Sequence, residues 1–578
     1  MDKLRQLSAI AAAFREYAIT GSVIAKPIMS ELCDRLGGGY VMSTRLGVFF
    51  QISCFKRALP LPDKEGVSAS CKKHREVVTS VFTTDQKHLS SVQDFSYEWA
   101  KKMRKNLTGN MAFRPGSGAS YDSTRKEGGG ANSVEKIVSN WLVEEMDYEE
   151  FEIVRNSSNL SVSGIILYDP VIGQYEGKRK RRELLRTNLT SREREEFGAL
   201  LSESKREEFF MEVWRLQSCY DYVSKYLGSD ILPRSKYVAI RENGGKVRSL
   251  AKSEASLVYL SNACGETIRD LLKKEISVKG ALTGVPFESW MVTLRKWIKF
   301  LGTQSTFTEH LSDLGITAKD FVFRSADLTS ATDLLPRDVV HHIVSGILMG
   351  LGVDMGDEPN SLFGEIMRWT TGQWILEYRN DSVVTTRGVS MGLPVSWPIL
   401  NLYNLWLVNE SWRLIGVNGF GLTRKNRCHT QCGDDLVAYW PKIVNDNYTR
   451  LLQETGGELS EGKDLTSKSC FNFVEKTGCL TFRRGSPIFH VPTIIPMKSV
   501  CGSNSGSSVP RFIEAGNSIT TTMAMLPDGS NVRRIVGGIV RVSYADLIGK
   551  LDHLGLYPYI PRVYGGGGFP ILARESDC

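Results

Sequence analysis

The sequence predicts an α+β protein in which a small antiparallel sheet is backed by helices. Three observations lead there. A short apolar run at 321–327 suits a buried strand. Two strand-like runs, 428–432 and 436–440, flank Gly433-Asp434-Asp435, a sequence suited to a hairpin turn. Helical patterning fills 336–351, 391–406 (entered through a loop) and 445–455. The order strand, helix, helix, hairpin, helix is that of a layered α+β fold rather than a doubly wound one.

The chain has 578 residues, 42% hydrophobic and 24% charged. It is long enough for more than one domain and apolar enough to fold. A net charge of +8 fits a phosphate-bearing partner without requiring one. Eleven scattered cysteines, an odd number, argue against a disulfide framework. Cys428-His429-Thr430-Gln431-Cys432 lacks a second ligand pair at zinc-site spacing, so buried strand cysteines are expected there.

No apolar run is long enough to cross a membrane, and no signal-peptide pattern opens the chain. Leu4, Leu7, Ile10, Phe14 and Ala18 recur at helical spacing, while Asp2 and Glu16 are unlike a mitochondrial presequence. An ordinary first helix is expected. Residues 1–110 read as mostly helical, 115–132 as a polar loop, and helical patterning continues to about 227. The basic run 177–186 suits a solvated helix face and an RNA-facing surface equally well. The glycines at 565–568 read as a turn without a legible role.

The carboxylates carry the chemistry. Nucleotidyl transfer uses two metal ions roughly 3.5–4 Å apart, bridged by carboxylates. Mg²⁺ is a hard ion that takes oxygen ligands. Gly433-Asp434-Asp435 places an acidic pair at the end of a sheet, though alone it reads equally as an Asx turn. Asp327, ending a buried strand, is a second supplier. Asp333 suits the N-cap of the following helix, with Pro336 early in its first turn. Lys246 and Arg248 alternate on one face of a strand, within a basic segment from Arg241 to Lys252. Asn243-Gly244-Gly245 marks the hairpin turn before them.

Taken in order, Asp327-Leu-Thr-Ser-Ala-Thr-Asp333, Gly388 to Asn401 and Cys432-Gly-Asp-Asp435 resemble motifs A, B and C of viral RNA-dependent RNA polymerases. The likeness is to the ourmia-like (botourmiavirus) group, related to narnaviruses and mitoviruses, and is clear over roughly 230–480. Ser53 to Pro60 and the glycines at 128–130 resemble that group more faintly. Asp327 and Asp434 lie 107 residues apart.

The resemblance implies a right-hand polymerase. Residues 1–229 are expected to form an N-terminal extension and part of the fingers. Residues 230–319 complete the fingers, 320–485 form the palm, and 486–578 the thumb and tail. It implies Asp327, Asp434 and auxiliary Asp435 as ligands of Mg²⁺, or of Mn²⁺ in its place. Lys246 and Arg248 would meet the triphosphate as motif F. Asp333, Ser396 and Asn401 would read the ribose, with Asn404 a nearby substitute, because Ser390-Met391-Gly392 departs from the usual Ser-Gly of motif B. Lys463 resembles the motif D general acid, with Lys468 its rival, and 473–475 the start of motif E. Arg241, Lys252, Gly388, Met391 and Gly392 would border the RNA.

The implied partners are template and product RNA and ribonucleoside triphosphates, in the host cytoplasm rather than the mitochondrion. The sequence names no protein partner. A reverse transcriptase is the near alternative, although those enzymes usually carry an aromatic residue before the Asp pair, where this chain has Cys432-Gly433. A non-catalytic RNA-binding relative is the other. No P-loop is present, so no helicase activity is expected.

Overall fold

The computed structural model describes residues 2–22, 42–104, 118–144, 215–352, 362–417, 428–500, 519–526, 531–560 and 569, with breaks at 59, 226, 228–231, 304, 484–485, 525, 554, 556 and 559. The basic run 177–186 and the glycines at 565–568 lie outside these residues.

The strands, in chain order, are β1 (Arg234–Glu242), β2 (Lys246–Ser253), β3 (Phe321–Ala326), β4 (Ile375–Glu377), β5 (Ser382–Val384), β6 (His429–Cys432), β7 (Asp435–Pro441), β8 (Leu465–Ser467), β9 (Cys470–Phe473), β10 (Lys476–Arg483) and β11 (Ser486–His490). The expected antiparallel sheet is present in the order β6-β7-β3-β8. Two further sheets accompany it among the described residues, β2-β1-β4-β5 and β9-β10-β11. The first of these contains a parallel pair, Arg234–Lys236 against Ile375–Glu377, which the sequence pattern did not suggest.

Every residue of β3 is buried. Phe323 and Val437 face Trp290, Leu294 and Phe471. Val322, Leu436 and Trp440 join the largest core on the other side. A sheet covered on both faces needs apolar side chains on both, hence the unbroken apolar run. The Ser396–Arg413 helix is buried nearly all round, so polar residues within it must be satisfied internally.

The Arg337–Leu351 helix lies hard against the Gln86–Met103 helix. A Cβ on Gly346 or Gly350 would come within 2.5 Å of Gln93 O or 2.4 Å of Tyr97 O, so these glycines permit the close approach. Pro336 caps this helix from outside, with extended ψ, rather than sitting in its first turn. The Lys442–Glu454 helix starts three residues before the apolar pattern does, because Pro441 is its cap.

The described N-terminal residues are mostly helical, and their first two helices build a core of their own with the strands. Phe14, Tyr17 and Ile19 of the Asp2–Thr20 helix and Phe49 and Phe50 of the Met42–Cys54 helix pack with Leu465, Cys470 and Cys479. The expected loop at 115–132 is shorter than its composition suggests. Thr124 and Glu127 form a capping box, and a helix begins at Gly129. The boundary expected at residue 486 falls inside a sheet, since β11 pairs with β10 as far as His490. A separate C-terminal core follows, with Val500, Met523, Val536, Val540 and Tyr544. No helix among the described residues is long and apolar enough to cross a membrane.

Candidate active site

Gly433 and Asp434 form a two-residue turn between β6 and β7, with Cys432 opposite Asp435. Gly433 has φ +68°, a region open to glycine at little cost. A buried helix braces this turn. Asn401 Oδ1 accepts the Gly433 N–H at 3.2 Å, and Asn404 Nδ2 donates to Gly433 O at 2.7 Å. Tyr448 Oη completes the set by donating to Asn404 Oδ1 at 2.9 Å. The turn thus offers Asp434 to solvent and keeps Asp435 half-buried.

Asp327 follows β3 directly, on a strand adjacent to β7. Its backbone carbonyl accepts from the Ser460 N–H at 2.7 Å, and its Oδ1 from Ser460 Oγ at 3.2 Å. Lys463 Nζ forms an ion pair with Asp327 Oδ2. The loop carrying Lys463 is pinned from beneath by Arg324 of β3, which pairs with Asp464 at 2.7 Å. Arg324 also donates to Asn445 Oδ1 and Thr449 Oγ1. Lys468 turns away and donates to the Lys319 carbonyl.

The three carboxylates feel one another. Desolvation, then the Asp327 charge, raises Asp434 above the usual carboxylate range, although its side chain reaches solvent at the turn's tip. Burial, then Asp434 and Asp327, pushes Asp435 up to about 7. Lys463 and Lys246 act in the opposite direction on Asp434, and Lys463 and Arg15 on Asp435. A cluster of oxygen donors with surplus negative charge is the chemistry of a hard-cation site. Among the described residues no group of three or more Asp, Glu, His or Cys side chains is arranged so that it could hold a metal ion by itself. An ion that takes substrate phosphates and water as ligands needs only one or two carboxylates. Asp327 and Asp434 fit that demand.

Arg241, Lys246 and Arg248 are exposed on the β1–β2 hairpin, and Arg248 Nε pairs with Glu242 at 2.8 Å. Lys252 is half-buried further along β2, opposite Lys236. The turn of this hairpin is held by the 53–60 segment, whose Pro60 O accepts the Gly245 N–H at 3.1 Å. Of the glycines at 128–130, Gly128 ends a turn and Gly129 and Gly130 open a helix, and the segment before them docks where β2 ends, with the Tyr121 N–H donated to Ser253 O at 3.0 Å.

Asp333 is buried, at 8% exposure. It does not cap the next helix, whose N-cap is Pro336 without a side-chain bond. Instead it lines a cavity with His74, Ser249, Gly388, Ser390 and Met391. The segment after Gly388 lies against it. The Val389 N–H donates to Thr332 O, and a Cβ on Gly388 would stand 2.8 Å from Asp333 O. Gly392 abuts β2, since a Cβ there would come within 2.0 Å of Ala251 O. Both glycines thus serve close packing, while Met391 is 41% exposed.

Ser396 and Asn401 both lie buried in the Ser396–Arg413 helix. Ser396 is buried, and its Oγ donates to Leu393 O at 2.6 Å, as a serine at a helix start readily does. Asn401 is fully buried and committed to the Gly433 turn and Gln431. Sequence reasoning missed His74, Ser460, Arg324 and Arg15. Ser460 opens the Ser460-Glu-Gly-Lys463 segment that resembles motif D, whereas His74, Arg324 and Arg15 lie in no motif and are brought to the site only by folding.

Residues 288–492 match the family described as Mitovirus RNA-dependent RNA polymerase. An RNA-directed RNA polymerase of Saccharomyces 20S RNA narnavirus is 24% identical over 567 residues, 92% of this chain and 57% of that protein. One of Saccharomyces 23S RNA narnavirus is 36% identical over 343 residues, 44% of this chain and 35% of that protein. The chain therefore spans little more than half, or about a third, of the length of these relatives. The chain is thus similar to mitovirus and narnavirus RNA-dependent RNA polymerases, over the carboxylate-bearing sheet and over much of the surrounding chain.

Proposed function

We propose that the chain is an RNA-dependent RNA polymerase that copies a positive-strand RNA genome by two-metal-ion nucleotidyl transfer. The observation that carries this reading is the convergence of Asp327, Asp434 and Asp435 with Lys463 and Lys246 at one end of the central sheet. In the right-hand description, the β6-β7-β3-β8 sheet is the palm, the β1–β2 hairpin belongs to the fingers, and the chain beyond β11 is the thumb. The N-terminal helices extend the fingers and brace the palm.

Asp327 and Asp434 would hold Mg²⁺, or Mn²⁺ in its place, with Asp435 auxiliary. Such ions activate the attacking 3′-hydroxyl and neutralise the leaving pyrophosphate. Lys246 and Arg248 supply fixed positive charge for the incoming triphosphate. Asp333, in its cavity beside Met391, takes the ribose hydroxyl. Arg241, Lys252 and Met391 border the RNA, with the glycines at 388 and 392 shaping that wall. Lys463 neutralises Asp327 at rest and is the general acid for the pyrophosphate; its pairing with Asp327 favours it over Lys468. The host cytoplasm is the proposed location.

The test is RNA synthesis by the purified chain on an RNA template with Mg²⁺, supplied with ribonucleotides or deoxynucleotides. Template-directed product from ribonucleotides alone supports the reading. Product from deoxynucleotides alone would make the protein a reverse transcriptase. RNA binding without synthesis would leave a non-catalytic relative.

A further inference from the structure

His74 lies in the Lys64–Val78 helix, far from every motif, yet its ring reaches the cavity that holds Asp333. The ring is buried, at 8% exposure. Its Nδ1 is 3.0 Å from the Tyr378 hydroxyl, and its Nε2 is 3.8 Å from Asp333 Oδ2. Tyr237 closes the cluster, with ring centroids 5.1 Å from both His74 and Tyr378. The Tyr237 hydroxyl is held 3.1 Å from Ser249 Oγ on β2.

Burial lowers His74 to about 4, so the imidazole is neutral near pH 7. A neutral imidazole has one donor and one acceptor nitrogen. With the Tyr378 hydroxyl donated to Nδ1, the proton sits on Nε2, aimed at the Asp333 carboxyl. A gap of 3.8 Å is too long for a hydrogen bond. His74 therefore bounds the carboxyl at contact distance without consuming its bonding capacity. Gly388 packs directly on the Asp333 backbone, with no room for a Cβ between them. The open direction for the carboxyl is the cavity bordered by Ser249, Ser390 and Met391.

We infer that His74, oriented by Tyr378, is a positioning residue that aims the Asp333 carboxyl and thereby sets the preference for ribose over 2′-deoxyribose. This inference rests on the polymerase reading and adds a specificity determinant from the N-terminal segment. A site that hydrogen-bonds a hydroxyl discriminates strongly against the analogue lacking it, provided its polar group is held in place.

The experiment is single-nucleotide extension by the full chain, with kcat and KM measured for a ribonucleotide and for its 2′-deoxy counterpart. The variants are His74→Ala, His74→Gln and Tyr378→Phe. His74→Ala is expected to lower the ribose preference by about tenfold or more, mainly through the ribonucleotide, with the deoxynucleotide nearly unaffected. Tyr378→Phe, which keeps the ring and removes only the hydroxyl, is expected to lower it less. Equal losses for both substrates, leaving the ratio unchanged, would overturn the inference. If His74→Ala does not fold, an unchanged ratio in Tyr378→Phe overturns it instead. A wild-type chain that makes no RNA overturns the polymerase reading itself, whereas normal RNA synthesis with an unchanged ratio removes only the role of His74.

Discussion

The side-chain amide of Asn404 donates to the carbonyl oxygen of Gly433 at 2.7 Å, so a residue inside a buried helix fixes the turn that carries Asp434. Removing it leaves the Gly433 carbonyl and the Tyr448 hydroxyl unpaired in the interior, at a cost of about 1–3 kcal/mol. Asn404→Leu is expected to lower the melting temperature by a few degrees. RNA synthesis should fall further than stability does, by roughly tenfold or more, because the Asp434 carboxylate loses its support. Primer extension beside a thermal melt checks this; unchanged extension rates in a folded variant would refute it.

Under the proposed mechanism, Lys463 and a metal ion compete for the Asp327 carboxylate. Lys463→Met frees Asp327 Oδ2. Half-saturation by Mg²⁺ should then occur at a lower concentration, while kcat falls because the proton donor is gone. The two parameters move in opposite senses of fitness, unlike a general loss of structure. A Mg²⁺ titration of extension rate decides it, and an increased Mg²⁺ requirement would contradict the assignment.

Gly392 leaves no room for a methyl group, since a Cβ would lie 2.0 Å from Ala251 O. Gly392→Ala must push the 388–393 loop away from β2. Overpacking of this kind typically costs about 1–3 kcal/mol. We expect a larger effect on the KM for nucleotide than on the melting temperature, because the displaced loop borders the Asp333 cavity.

His74 and Asp333 make opposite contributions to stability as pH changes. Burial raises Asp333 from 3.8 to about 7, so between these values the folded state binds the extra proton and stability falls as pH rises. Burial lowers His74 from 6.5 to about 4, so in that window the unfolded state binds more protons and stability rises with pH. Asp333→Asn should therefore gain stability relative to wild type from pH 4 to 7. His74→Gln should lose it relative to wild type from pH 4 to 6.5. Melting temperatures across this range test both signs, and parallel curves for either variant would show the burial argument to be wrong.

The parts of this architecture legible in the sequence are those fixed locally. β3 was visible as an apolar run, and the β6–β7 hairpin as two strands around a glycine turn. The β9–β10 turn, resembling motif E, falls at Val474 and Glu475, both at positive φ although neither is glycine. What escaped depends on long-range packing. The burial of Asn401 and Ser396 and the bonds they make, to the Gly433 turn and to Leu393 O, are recorded by no local pattern. His74 looked like any helix residue, because its neighbours Tyr237, Asp333 and Tyr378 come from distant segments. The parallel β1–β4 pair likewise joins strands whose pairing no local pattern records.

The central claim is that Asp434 and Asp327 hold the metal ions of RNA synthesis. The most direct measurement is template-directed RNA synthesis by purified Asp434→Ala across a Mg²⁺ titration, with RNA binding measured on the same preparation. The account predicts RNA binding close to wild type and no synthesis at any Mg²⁺ concentration. Synthesis at the wild-type rate by this variant would contradict it.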